Sequence, residues 1–408
     1  MKVMCRTCVT LNNKIRKFVE TSSESFGQRE GKVSMADSVV YRLLYTQKSV
    51  TQQNATSAIN MYTNQTVNRS NYVRREESID LDFYKRFYDV ICKFEPSYYG
   101  KYTKNVFAVD GTKSNMSIKL KDAGYKANKN AESVTPLILG IFNVTRNYPI
   151  SLDLVKHKDE RKAFTDSLNN LDNIKDSIFV FDRGFYSTDM VDILKKKKVK
   201  FIFRIKKNSL MIDETKNDFE TFINHNDTNH KLRIVTYTFD ENNYYIATNL
   251  FDKDEYSIEI IKELYHSRWS IEEYYKLIKC NTSLGNFKET SEISIKKSIY
   301  CQLIVSTLMS YMERCYTKNV MNEKNKKDES KMINRSNLMV GIYKELIMNM
   351  IYKRTTRKYI DHFIKSYIVI HNSVKGRSFE RTSKTPFTKW YIKRYFKKYA
   401  KIELLDPS

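Results

Sequence analysis

The chain has 408 residues, with 71 Lys or Arg against 47 Asp or Glu, and so a formal net charge of +24. That length allows two or three domains with a sizeable core, and that charge suits a polyanionic partner, with DNA or RNA first. No signal-peptide pattern opens the sequence and no apolar run is long enough to span a bilayer, which excludes a secreted or membrane-spanning protein and leaves a soluble, intracellular one.

Lys, Asn, Ile and Tyr are abundant and have AT-rich codons, so a biased genome can account for part of the charge. The distribution is therefore more telling than the total. Between 351 and 400 there are 14 Lys or Arg and 2 Asp or Glu, which puts half of the net charge in about an eighth of the chain. A nucleic-acid-binding face that includes Lys393, Arg394, Lys397 and Lys398 explains this block better than a merely solvated basic tail. The six cysteines are scattered, and the Cys5–Cys8 pair has no second pair to complete a zinc site. Free thiols in a reducing compartment are expected.

Residues 1–100 read as helical. Val39, Val40, Leu43 and Leu44 mark one short helix. Thr51 caps a second through Ala55, Ala58, Ile59 and Met61, and Leu81, Tyr84, Phe87, Tyr88 and Ile91 form the stripe of a third. Arg69, Arg74 and Arg75 fall in a polar linker able to touch phosphates. From Lys104 the texture turns to strands: Val106–Lys113, Ser117–Lys121, Pro136–Val144 and Ile150–Val155. A helix over 159–171, a buried strand ending at Asp182, a helix from Ser187 to Lys198 and a strand at Phe201–Lys206 follow. This order predicts an α/β domain with a mixed sheet over 101–290. A β-rich insertion spans 210–256, with strands at Leu232–Phe239 and Tyr244–Leu250 around a turn at Asp240–Asn243. The region 291–408 reads as helical and basic, the most apolar helix lies near Ile293–Met312, and the polar run Asn322–Ser336 reads as a mobile loop.

Asp110 and Asp182 each follow an apolar strand and precede Gly111 or Arg183-Gly184, where α/β sheets present catalytic groups. Each alone also reads as an ordinary turn residue. Further on, Tyr265–Lys279 contains no Gly or Pro. On a single helix, Tyr265, Arg268, Glu272 and Lys279 share a stripe roughly 60° wide. Beside it run Leu264, Ile271, Tyr275 and Ile278, an apolar face. A surface helix also carries Glu and Lys at such spacings.

The spacing Tyr, two residues, Arg, three residues, Glu, six residues, Lys resembles the signature of DDE transposases of the insertion-sequence-four type. The Asp-Gly-Thr at Asp110–Thr112 and Asp-Arg-Gly-Phe at Asp182–Phe185 resemble that family's motifs around its two aspartates, which stand 72 residues apart here, with Glu272 90 residues beyond the second. The resemblance implies a ribonuclease-H-like core with a β-rich insertion before the glutamate helix, a helical DNA-binding region over 1–100, and Mg²⁺-dependent strand cleavage and strand transfer at transposon ends. Asp110, Asp182 and Glu272 become the catalytic, metal-binding carboxylates, with Mn²⁺ able to substitute. Tyr265, Arg268 and Lys279 become phosphate clamps on double-stranded DNA, and the protein a homodimer in a synaptic complex, in the cytoplasm and nucleoid or the nucleus according to host. Hard oxygen ligands are what Mg²⁺ requires, and the six histidines form no cluster in sequence.

Arg183 has two readings, a phosphate contact or a carboxylate pair. Trp269 reads as core packing before a base-stacking platform, and Lys195–Lys198 as solvated surface. Helix stability should hardly depend on Arg268 and Lys279, since exposed pairs contribute only about 0.3–0.5 kcal/mol. The alternative function is a domesticated, catalytically silent DNA-binding protein, against which all three acidic residues stand. A junction resolvase fits the Tyr, Arg and Lys around Glu272 less well. The residues do not choose between a hairpin and another strand-processing route.

Overall fold

The structure is a computed structural model that describes residues 2–25, 31–92, 94, 104–127, 132–171, 174–210, 212–213, 215–239, 241–323, 331–353, 355–367 and 370–372. Its centre is an eight-stranded sheet, built from β1 (Val106–Lys113), β2 (Leu137–Asn143), β3 (Tyr148–Val155), β4 (Ile178–Phe181), β5 (Lys200–Ile205), β6 (Asp218–His225), β7 (Thr228–Phe239) and β8 (Asn242–Thr248). The spatial order is β3-β2-β1-β4-β5-β8-β7-β6. The first three strands are antiparallel, β4 and β5 join parallel to β1, and β8, β7 and β6 continue antiparallel from β5. The first five strands have the ribonuclease-H-like arrangement, and the expected insertion extends the same sheet as three added strands.

The apolar residues of β1, β2 and β4 are buried on both faces of the sheet, as expected where helices cover each side. Phe107, Val109, Leu139, Phe179, Phe181 and Phe203 pack under α6 (Glu160–Leu168) and α7 (Thr188–Lys196). The opposite face divides in two. Val106, Ile178, Val180 and Ile202 lie under α8 (Ile258–His266), whereas Ala108, Ile138 and Phe142 pack with α9 (Trp269–Asn281). The α9 side merges into the largest core, shared by α1 (Lys2–Ser25), α2 (Met35–Tyr45), α3 (Gln52–Thr63), α4 (Arg69–Glu77), α5 (Leu81–Cys92), the long α10 (Glu292–Glu323), α11 (Arg335–Gly341), α12 (Ile347–Tyr352) and α13 (Arg357–Tyr367).

Several local expectations change. Ser117–Lys121 forms a 3₁₀ turn at Ile118–Lys121, after a two-residue pairing of Met116–Ser117 with Ser133–Val134. The turn between β7 and β8 is tighter than Asp240–Asn243, because Phe239 already pairs with Asn242. Strand β6, unmarked in the sequence, is closed by Asn226 and Asp227, both at positive φ (46° and 61°) in a two-residue hairpin that suits their short polar side chains. Thr51 does cap α3, accepting from the Asn54 amide at 3.1 Å, but Met61 points outward.

Arg69, Arg74 and Arg75 lie on α4 and not in a linker. That helix is held by a buried charge. Glu76 pairs with Arg42 of α2, and Arg42 also reaches Glu289 at 3.3 Å, where a hydrophobicity pattern sees only polar residues. The cysteines whose side chains are described, Cys8, Cys92, Cys280 and Cys301, are thiols not joined in any disulfide among the described residues. No helix among the described residues is long and apolar enough to cross a membrane. Most of the 351–400 basic block, including Lys393, Arg394, Lys397 and Lys398, and part of the Asn322–Ser336 run lie outside the described residues.

Candidate active site

Strands β1 and β4 are parallel and in register, with Val109 opposite Phe181 as their last pair. The next residue on each is an aspartate. Asp110, still within β1, and Asp182, just past the end of β4, therefore stand side by side on adjacent strands. Along β1 the side chains alternate, so Asp110 shares the face of Ala108, the one α9 covers. Its cross-strand neighbour on β2 is Gly140. Tyr275 of α9 brings its hydroxyl down on that glycine, where any larger residue would collide with it, and donates to the Asp110 carbonyl at 2.8 Å. At the far end of α9, the Lys279 ammonium donates to Thr112 Oγ1 at 2.5 Å and to the Lys113 carbonyl at 3.0 Å. The glutamate helix is thus fastened to β1 at two points beyond Glu272.

The single helix expected over Tyr265–Lys279 is broken at Ser267–Arg268. Ser267 Oγ donates to the Leu264 carbonyl at 2.6 Å and Ser270 Oγ to the Ser267 carbonyl at 2.8 Å. Meanwhile the Ser270 and Ile271 amides bond three residues back. Hydroxyls competing for backbone acceptors tighten one turn and separate α8 from α9. The apolar face survives, with Leu264, Ile271, Tyr275 and Ile278 all buried. Trp269 is 51% exposed, with Lys276 over its ring, and not in the core, because the break turns it outward.

The break still leaves the polar stripe together. Arg268 is only 5% exposed. One of its terminal nitrogens donates to Glu272 Oε1 at 2.8 Å, and the guanidinium lies 6.0 Å from the Tyr265 ring centre. The exposed-pair expectation is therefore wrong for Arg268. Burial works against its charge, but Tyr265, Asp182 and Glu272 outweigh that and hold its pKa above the ordinary arginine value. Tyr265 is buried, which raises its pKa. Its hydroxyl lies near Arg204 and makes no hydrogen bond of good geometry among the described residues. Burial lowers the Lys279 pKa, with Asp110 opposing that shift. Arg183 is exposed on the loop after Asp182.

Asp110 is pushed up to about 6, first by burial and then by the neighbouring Glu272 and Glu160, against the opposing pull of Arg268. Glu160, in the first turn of α6, was not anticipated. Burial and the nearby Asp182 raise its pKa as well. It reads in sequence as an ordinary acidic residue after a helix cap. Its position over Gly111 becomes visible only when α6 is packed on the sheet.

These donors are all hard oxygens, and mutual repulsion of the kind that raises Asp110 is what a divalent cation relieves, so their chemistry fits Mg²⁺ or Mn²⁺. Among the described residues, however, no three His, Cys, Asp or Glu side chains stand close enough to hold one ion. Arg268 occupies part of that space as the counter-charge of Glu272. Two histidines do gather elsewhere. His225 and His230, on one face of the β6–β7 hairpin, stand 3.4 and 3.3 Å from Asp189 and Asp192 of α7, without a third ligand in reach.

The family model for the transposase DDE domain matches residues 101–308, a span that contains Asp110, Asp182 and Glu272. A protein of Synechocystis sp. named as a transposase for insertion sequence element IS4SA is 27% identical over 143 residues, which cover 34% of this chain and 42% of that protein. The chain thus spans less than half the length of this curated relative. A cryo-EM structure of the piggyBac transposase synaptic complex with hairpin DNA aligns with a TM-score of 0.43 at 13% identity, over 92% of this chain and 86% of that one, a likeness too distant to transfer detail. With half of its residues matched by the domain model, the chain belongs to the transposase DDE-domain family.

Proposed function

We propose that the chain is a DNA transposase that cuts strands at the ends of its mobile element and joins them to target DNA. The observation that supports this most is the side-by-side placement of Asp110 and Asp182 on parallel strands, under a helix pair bearing Tyr265, Arg268 and Glu272. Asp110, Asp182 and Glu272 would hold Mg²⁺, or Mn²⁺ in its place. When bound, such ions activate the attacking oxygen and stabilise the leaving one in an in-line displacement at phosphorus.

The chain's own groups position the DNA. Arg268 offers a planar, permanently charged fork to a phosphate, and Tyr265 a hydroxyl with hydrogen-bonding capacity to spare. Lys279, tied to the end of β1, adds a point charge beside the phosphate path. Tyr275 and Gly140 fix the height of α9 above Asp110 and so the distance between the two sources of carboxylate. Two such sites acting on two ends require a pair of copies, so the working form is a homodimer in a synaptic complex. Arg183, Lys393, Arg394, Lys397 and Lys398 add phosphate contacts outside the site.

The test is incubation of purified protein with Mg²⁺ and double-stranded DNA carrying the element's own ends. Asp182→Asn is expected to abolish cleavage while DNA binding stays largely intact. Equal loss of binding would make Asp182 a structural residue, and full cleavage by the variant would overturn the assignment.

A further inference from the structure

We propose that Thr112 is a positioning residue for DNA, whose hydroxyl holds the Lys279 ammonium ready to take a phosphate oxygen of the element end. This rests on the reading of Lys279 as a phosphate contact. Thr112 is two residues beyond Asp110 on β1, so both side chains leave the strand on the face that α9 covers. Lys279 reaches that face from the last turn of α9. Its ammonium donates to Thr112 Oγ1 at 2.5 Å and to the Lys113 carbonyl at 3.0 Å. A lysine carries three such donors. The third has no partner among the described residues, and no carboxylate there pairs with the ammonium.

The fold does not need this contact as a fastener. The end of β1 and the turn after α9 are already joined without it. Ser114 Oγ donates to the Leu284 carbonyl, the Asn115 amide to the Gly285 carbonyl at 3.1 Å, and the Phe287 amide to the Asn115 carbonyl at 3.0 Å. The Lys279 stem runs beside Gly285, its Cβ and Cγ 3.7 Å from where a side chain would begin. Burial there works against the charge, and Asp110 favours it from a distance without bonding to it. A half-buried ammonium resting on neutral oxygens is a costly way to hold two backbones together. It is a sound way to keep a cation in wait. A lysine on a free stem loses rotamer freedom when it grips a ligand, and a hydroxyl that has already fixed the stem removes that cost from binding.

The experiment follows single-turnover cleavage of double-stranded DNA carrying the element's own ends, over a range of DNA concentrations. Full-length wild type is compared with Thr112→Val, Thr112→Ser, Lys279→Ala and the Thr112→Val, Lys279→Ala double variant, with thermal melting as the fold control. Thr112→Val puts a methyl in place of the hydroxyl. It is expected to raise the half-saturating DNA concentration by about ten- to a hundredfold, the range of a hydrogen bond to a charged group. The rate at saturating DNA and the melting should stay close to wild type, because a contact made equally before and during the reaction acts on binding. Thr112→Ser, which keeps the hydroxyl, should restore most of the affinity. In the Lys279→Ala background Thr112→Val should cost nothing further, since Thr112 acts through the ammonium. If the two losses add instead, or if Thr112→Val binds like wild type while Lys279→Ala does not, the inference falls. It falls too if Thr112→Val and Lys279→Ala both melt early, which would make their bond a fastener of the fold. If Lys279→Ala binds and cleaves like wild type, the phosphate-contact reading itself fails and takes this inference with it.

Discussion

Replacing Arg268 with Ala is the most informative perturbation of the site, because the structure predicts opposite behaviour with and without cation. Removing one partner of a fully buried ion pair costs about 3–5 kcal/mol, and of an exposed pair less than about 1 kcal/mol. Arg268 is buried, but the Glu272 side chain is 31% exposed, so water can partly replace the lost partner. A cost of about 2 kcal/mol follows. With an unfolding entropy of about 2.1 cal/mol/K per residue over 408 residues, that lowers Tm by about 2–3 °C in metal-free buffer.

Arg268 is the counter-charge of Glu272, so the variant should bind Mn²⁺ more tightly than wild type. Ligand at ten times its Kd contributes about 1.4 kcal/mol. A wild type that binds tenfold more weakly gains only about 0.4 kcal/mol at the same concentration, so Mn²⁺ should close about half of the gap in Tm, while cleavage of element ends stays lost because the proposed phosphate clamp is gone. The assay is a pair of melting series with and without Mn²⁺, beside single-turnover cleavage. A gap in Tm unaffected by Mn²⁺ would refute the idea that the guanidinium holds the place of a cation, and an unchanged Tm in metal-free buffer would refute its burial as a charge.

Three other outcomes are expected. Ile271→Ala should destabilise by about 2–5 kcal/mol in chemical denaturation, because Ile271 is fully buried beneath α9; a loss below about 1 kcal/mol would contradict that packing. Asp110 holds its proton up to a pH of about 6 in the fold, against about 3.9 when unfolded. Its contribution to metal-free stability is therefore complete below about pH 4 and is lost as pH rises through about 6. Mn²⁺ affinity should conversely fall by about tenfold per pH unit below 6, and Asp110→Asn should remove both dependences. Finally, changing Lys393, Arg394, Lys397 and Lys398 to Gln should flatten the salt dependence of DNA binding by up to about 3–4 in log–log slope, whereas an unchanged slope would make them ordinary surface residues.

The parts of the fold written in strong local patterns were legible. The runs Val106–Val109 and Ile178–Phe181 are too apolar to be anything but buried strands, and the aspartates that follow them stand where the pairing of those two strands ends, although β1 itself runs on to Lys113. Parts held by charge were not. Helix α4 buries Tyr72 and Glu76, and a buried glutamate paired with an arginine from another helix leaves no periodic trace. Strand β6 exposes Phe222 and buries Ile223 at the sheet edge, so its alternation is weak. Spacing drew Tyr265, Arg268, Glu272 and Lys279 together correctly as neighbours, yet it could not show the serine-driven break that buries Arg268 and turns Trp269 to solvent. The place of Glu160 was illegible for another reason, since it depends on a glycine 49 residues away.

The break at Ser267–Arg268 also divides labour on the face of the sheet. Tyr265 belongs to the core under α8, which is built largely on β4, β5 and the added strands. The carboxylate of Glu272 leaves a helix anchored in a different core, shared with α10 and the N-terminal helices. If Tyr265 grips an element end as proposed, substitutions that repack the insertion would retune that grip without moving Glu272. A lineage whose ends drift in sequence has, in that joint, a place to adapt recognition while its chemistry stays fixed.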